Sequence, residues 1–192
     1  MIGVVLCGGK SSRMGTDKGL LTEGNKTWSQ IAMEKLSSLS LHSIVSINSS
    51  QRNTYSSFFP GDLLVLDKDE FDVKGPLLGL LSVYDQFAED DLLILGCDLP
   101  KMEVNVLHSL LDEYKQFPHF DSYIFSNDIH SEPLCGIYTS AGLKKISNAV
   151  SEGKLRSNRM KDALDLLNAK YLPLKEEWKN SFKNINSPTE RS

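Results

Sequence analysis

Cysteine is scarce in this chain. Cys7, Cys97 and Cys135 are the only three, an odd number with no Cys-x-x-Cys spacing. That excludes a disulfide framework and a thiolate zinc site, and it fits a reducing cytoplasm. The four histidines, His42, His108, His119 and His130, are scattered without ligand spacing and read as surface or cap residues. No apolar run reaches the ~18 residues that a membrane span needs. No basic stretch precedes the short apolar run at the N-terminus, so a secretory leader is not expected. Positive charge is not in surplus either. A formal net charge of −4 argues against a nucleic-acid binder that relies on a broad basic face, while leaving room for a small basic pocket. Repeats and low-complexity stretches are absent.

What is present is enough apolar material for a core: 40% of 192 residues, the length of one domain. Strand-like and helix-like segments alternate. Short apolar runs at 2–6, 43–47, 63–66 and 92–95 read as four strands, and 121–125, 133–138 and 171–174 as further ones. Helices are expected over 28–39, 76–87, 104–114, 141–150 and 158–167, the second opened by Gly75-Pro76 because proline suits a first turn. This alternation predicts an α/β fold, a mainly parallel sheet sandwiched between helices. Ligands of such sheets sit at the carboxyl ends of the strands, where the strand order reverses. An order beginning third-second-first-fourth would make the first and fourth strands neighbours at that switch.

The densest signal follows the first strand: Leu6-Cys7-Gly8-Gly9-Lys10-Ser11-Ser12-Arg13-Met14-Gly15-Thr16-Asp17-Lys18. A strand running into a glycine-rich basic loop is how backbone N–H groups are brought to phosphate. Gly8, Gly9 and Gly15 allow close approach, and Lys10, Arg13 and Lys18 supply charge. The loop is not a P-loop. Gly9-Lys10-Ser11 fits the tail of that motif, but its leading glycine would fall on Val4. The dinucleotide pattern G-x-G-x-x-G fails too.

The other chemistry-bearing residues also close strands. Asp98, in Gly96-Cys97-Asp98-Leu99-Pro100, faces the glycine loop across the predicted switch. A lone carboxylate in a phosphate-lined site reads as a magnesium ligand, since magnesium takes few carboxylates and substrate phosphates besides. Asp67 opens a charged run after the third strand, ahead of Gly75-Pro76-Leu77-Leu78-Gly79, where glycine and proline point to close backbone approach to a ligand. Asn48 closes the second strand and offers both donor and acceptor for a base or ribose. For Asp67 and Asn48 a solvated loop is an equally good reading. Glu132 and Gly136 lie in one strand, where glycine marks close approach of something else. Arg156 and Arg159 are candidates for a second anionic group, against a solvated surface.

With these residues in place, the chain resembles the molybdenum cofactor guanylyltransferases, nucleotidyltransferases with the signature L-x-G-G-x-S-x-R-M-G-x-D-K. Here it stands as Leu6 to Lys18, with Cys7 where alanine is common. Gly75-Pro76-Leu77-Leu78-Gly79, Cys97-Asp98-Leu99-Pro100 and Asn184-Ile185-Asn186-Ser187-Pro188 agree in order, so the resemblance covers nearly the full length. The Gly8-Gly9 pair is similar to guanylyl rather than cytidylyl transferases. The resemblance implies a three-layer, Rossmann-like sandwich of the nucleotide-diphospho-sugar transferase type, forming a single domain over 1–192. Its N-terminal half would bind nucleotide and its C-terminal half the pterin or a partner. It implies GTP contacts from Leu6, Cys7, Gly8, Gly9, Lys18, Asn48, Asp67 and Asp98, with Asp69 as the neighbour competing with Asp67. It implies catalytic roles for Arg13, Lys18 and Asp98, with Mg2+ held by Asp98. Molybdenum-molybdopterin would be the second substrate, and molybdoenzyme apoproteins and other cofactor-biosynthesis proteins candidate partners.

The implied reaction suits the residues. The terminal phosphate of molybdopterin attacks the α-phosphorus of GTP and pyrophosphate leaves. A phosphate nucleophile with a second pKa of ~6 is already ionised at neutral pH, so no general base is required. Three alternatives stand beside this reading. One is a sister transferase that uses CTP or guanylylates another phosphate. The others are a non-catalytic nucleotide sensor and a dedicated pterin-handling partner of molybdoenzymes.

Overall fold

The computed structural model describes residues 1–8, 17–127 and 130–183. Its centre is β1, Ile2–Leu6, buried at every residue because strands lie on both sides of it and helices above and below. A two-stranded hairpin, β2 (Thr22–Glu23) and β3 (Lys26–Thr27), leads into α1, Trp28–Ser37. Thr27 and Gln30 start that helix with a reciprocal capping box. There follow β4 (His42–Ile47), α2 (Arg52–Tyr55), β5 (Leu64–Leu66), α3 (Pro76–Gln86), β6 (Leu92–Gly96) and α4 (Val104–Gln116). The chain then continues through β7 (Ser122–Ser126), β8 (Ser131–Tyr138), α5 (Ser140–Ser151), α6 (Met160–Leu164) and β9 (Ala169–Pro173).

Seven strands form one sheet in the order β5-β4-β1-β6-β8-β7-β9. β8 pairs antiparallel with both neighbours and every other pairing is parallel. The expected order is therefore present, and β1 and β6 lie side by side with Leu6 opposite Gly96. Because β8 runs the other way, its first residues reach the rim where β6 and β7 end.

Alternation along the strands splits the core. Val5, Val45 and Leu95 pack with Ala32 and Leu36 of α1 and Leu107 and Leu110 of α4. Val4, Leu6 and Ile94 pack with Leu77 and Leu80 of α3 and Ile146 of α5. Helices thus cover both faces, which is why β1 and β6 read as unbroken apolar runs.

One expected helix is shorter than its pattern suggests, and two small elements stand beside the expected ones. The 22–27 hairpin and the α2 turn carry too few residues for periodicity to reveal them. The last expected helix, 158–167, shrinks to Met160–Leu164. Arg159 stays extended, its N–H taken by Ser157 Oγ at 3.2 Å, and the end tightens through Leu166 N to Ala163 O and Leu167 N to Leu164 O. Gly136 is required by packing inside the sheet: a Cβ there would stand 2.4 Å from Ile124 Cδ1 and 2.9 Å from the Tyr123 carbonyl.

Candidate active site

The carboxyl ends of β1, β4, β5 and β6 and the start of β8 form one rim. Asp98 leaves β6 through a tight turn in which Leu99 N donates to Gly96 O at 3.2 Å. Gly96 permits this, since a Cβ would meet Asp98 Oδ1 at 2.8 Å. Lys18 Nζ reaches Asp98 Oδ2 at 3.6 Å, with both side chains about one-fifth exposed. A cation and a carboxylate distant in sequence therefore meet at the switch between β1 and β6.

The stretch entering this rim is tied down at both ends. Cys7 N and Gly8 N both donate to Ser46 O, at 2.9 and 3.1 Å. Leu6 O accepts from Cys97 N at 3.2 Å. The Gly8 amide, expected from its loop position to be available to an anion, is engaged here by β4 through the oxygen it shares with Cys7 N. Gly9, Lys10, Arg13 and Gly15 lie outside the described residues, as does Asn184 to Pro188.

Where the described chain resumes, Asp17 caps a single 3-10 turn, Lys18–Leu20. Asp17 Oδ1 accepts from Gly19 N at 2.9 Å and from Tyr55 Oη at 3.1 Å, and Oδ2 accepts from Gln51 Nε2 at 2.5 Å. Gln51 Nε2 also donates to Cys7 O at 3.1 Å. Tyr55 is fully buried, and burial, with Cys7, Cys97 and Asp17 alongside, pushes its hydroxyl far up, so it remains a protonated donor. Contact with the Cys7 thiol, and burial, hold the Cys97 thiol protonated as well. Gln51 and Tyr55 carried no signal in the sequence. Their role depends on α2 and the turn before it, which bring them beneath the rim.

Asp67 follows β5, its N–H donating to Ile47 O at 2.8 Å. Its carboxylate lies below Gly8, where a Cβ would stand 3.2 Å from Oδ2, and beside Gly79, where a Cβ would stand 3.5 Å from Oδ1. Burial, then the charge of Asp69, pushes the Asp67 carboxyl up to about 6. Among the described residues its Oδ1 is buried with no hydrogen-bond partner, as is Ser46 Oγ. A buried carboxylate oxygen without a donor is costly and marks a place for one. In the segment 75–79, Gly75 is needed for its φ of +69°, and Gly79 lets α3 settle on β4, since a Cβ would meet Ser46 Oγ at 2.6 Å.

Asn48 caps the turn after β4. Its Oδ1 accepts from Gln51 N at 3.2 Å and Ser50 Oγ at 2.6 Å, so the acceptor is engaged within the protein. Glu132 stands half-buried at the start of β8. Burial, then the charge of Asp98, raises its carboxyl pKa. Arg156 and Arg159 are exposed on the approach to α6.

Among the described residues no group of three or more His, Cys, Asp or Glu is arranged to hold a metal, and no helix is long and apolar enough to cross a membrane. A site with hard oxygen donors from one or two carboxylates fits magnesium, which keeps waters and substrate phosphates in its shell.

Comparison with known proteins agrees with this geometry. The family model described as MobA-like NTP transferase domain matches residues 3–165. A molybdenum cofactor guanylyltransferase from Campylobacter jejuni is 32% identical, covering 95% of this chain and 89% of that protein. One from Pseudomonas fluorescens is 31% identical over 84% of this chain and 79% of its own length. In fold, the chain is similar to the crystal structure of molybdopterin-guanine dinucleotide biosynthesis protein A from Archaeoglobus fulgidus. The TM-score is 0.80 at 23% identity, covering 99% and 94% of the two chains. The strand order, the meeting of Lys18 with Asp98 and these matches converge: the chain is a nucleotidyltransferase that belongs to the MobA-like NTP transferase family, among the molybdenum cofactor guanylyltransferases.

Proposed function

We propose that this enzyme transfers GMP from GTP to the terminal phosphate of molybdenum-molybdopterin, giving molybdopterin guanine dinucleotide and pyrophosphate. The observation that carries the reading is the Lys18–Asp98 pair at the switch between β1 and β6, in a chain whose relatives bear the guanylyltransferase name.

The central difficulty of the reaction is bringing two polyanions together. Mg2+ held by Asp98 would supply Lewis-acid neutralisation of the triphosphate. Lys18 lies within ion-pair distance of that carboxylate and is placed to follow the charge that develops on the departing pyrophosphate. Arg13 is proposed to share this work from the glycine loop. Cys7 and Gly8 present the end of β1 to the nucleotide, Gly8 having no side chain to separate it from Asp67. Asp67 offers an orphaned acceptor for nucleotide N–H or hydroxyl donors. Leu6 supports this rim from the core, and Gly9 and Asn48 complete the proposed nucleotide contacts. We assign the pterin to the half of the domain that begins with β8, where the Asp98 charge acts on Glu132. The free, buried cysteines support a cytoplasmic setting, with molybdoenzyme apoproteins as recipients of the product.

The test is pyrophosphate release from GTP and magnesium, with and without molybdopterin, alongside CTP and other phosphate acceptors. Release that depends on molybdopterin and GTP is expected. Equal use of CTP, or release only with other acceptors, would overturn the substrate assignment.

A further inference from the structure

We propose that Gln51 is a positioning residue that sets where Lys18 stands relative to Asp98, acting through Asp17. The proposal rests on the nucleotidyl-transfer reading for its kinetic consequence, but not for its structural one.

Every polar atom of the Gln51 side chain is committed. Oε1 accepts from Asn48 N at 2.8 Å, while Nε2 donates to Cys7 O at 3.1 Å and to Asp17 Oδ2 at 2.5 Å. One planar amide therefore joins the end of β4, the end of β1 and the residue before Lys18. The chemistry requires a glutamine. A backbone carbonyl and a carboxylate are both acceptors, so the bridging group must present two donors in one plane and keep an acceptor for the Asn48 amide. Glutamate has no donor and would oppose the Asp17 charge.

The effect passes to Lys18 because Asp17 is the cap of the turn that carries it. The Asp17 carboxylate also takes Gly19 N and Tyr55 Oη, and Leu20 N donates to Asp17 O at 3.2 Å. A carboxylate fixed by three donors leaves the turn one orientation. Lys18 is thereby aimed toward Asp98 before any ligand arrives, and the binding step does not have to order it.

The experiment compares Gln51→Leu with the unsubstituted enzyme, in two assays. In the unliganded protein, hydrogen exchange of the Gly19, Leu20 and Leu21 amides should accelerate by about tenfold or more, with the β6 amides unchanged. In pyrophosphate release, kcat should fall about tenfold while KM for GTP moves less than about threefold, and in a Lys18→Ala background the same substitution should cost less than about threefold. Unchanged exchange at the 19–21 amides, equal acceleration in β6, or an undiminished loss in the Lys18→Ala background would overturn the proposal. Should Gln51→Leu not fold, the pair Gln51→Glu with Asp17→Asn restores one bond with its polarity reversed. Its exchange at 19–21 should be slower than that of Gln51→Glu alone, and equal exchange would count against the bridge. If the unsubstituted enzyme transfers no nucleotide, the reaction assignment fails, while the exchange result still decides the positioning role.

Discussion

Asp67 is the residue whose environment and purpose most clearly oppose each other. Its carboxyl is pushed from an ordinary 3.8 up to about 6, chiefly by burial, and one of its oxygens has no partner among the described residues. A folded pKa above the unfolded one means that the native state binds more protons between those two values. Stability attributable to Asp67 therefore falls as pH rises from about 4 to about 6 and stays reduced above that. At 1.36 kcal/mol per pKa unit the shift amounts to about 3 kcal/mol, and partial exposure to solvent brings this down to about 1–2 kcal/mol. Asp67→Asn removes the charge at nearly constant shape. Unfolding by urea at about pH 7.5 should show the variant more stable by about 1–2 kcal/mol, with the gain shrinking toward zero near pH 4. The same substitution should weaken GTP binding about tenfold in calorimetric titration, because the acceptor offered to the nucleotide loses its charge. No gain at neutral pH, or a gain that ignores pH, would refute the account of a carboxylate held at a stability cost.

The remaining predictions concern the metal carboxylate, a backbone contact and the thiols. Asp98→Ala should lose on the order of 3 kcal/mol of transition-state stabilisation, about a hundredfold in pyrophosphate release, with an unchanged urea midpoint. Near-normal turnover would remove Asp98 from the site. Gly142→Ala, whose Cβ would stand 2.5 Å from the Asp121 carbonyl, should destabilise by about 1–3 kcal/mol in the same unfolding assay, since backbone must move; an unaltered midpoint would show that α5 shifts freely. Cys7, Cys97 and Cys135 are all buried, and the Cys97 and Cys135 thiols are held protonated. An aromatic disulfide reagent should label none of them rapidly in the native protein and all three after unfolding in urea. Fast labelling of Cys7 in the folded state would contradict its burial.

The sequence by itself determined the fold class. Strand and helix periods alternate, and runs such as Leu92 to Leu95 can be fully apolar only where both faces of a sheet are covered. It also pointed to Asp67 and Asp98 as candidates, because each closely follows a strand end, a position that pattern alone reveals, and to Lys18 through the glycine-rich basic loop that it closes. Gln51 and Tyr55 were illegible. Their work lies in side-chain hydrogen bonds to Asp17 and Cys7, and these depend on how a one-turn helix folds back on the sheet. The partner of the Gly8 amide is illegible for a related reason: a glycine in a loop signals freedom, while Ser46 O is set by which strand lies beside β1. Gly136 likewise needed its cross-strand neighbour Ile124 to be explained. Tertiary structure decided these points because period and propensity are local properties, whereas a hydrogen-bond partner or a missing Cβ is fixed by whatever segment packs opposite, at a sequence distance that local pattern cannot reach.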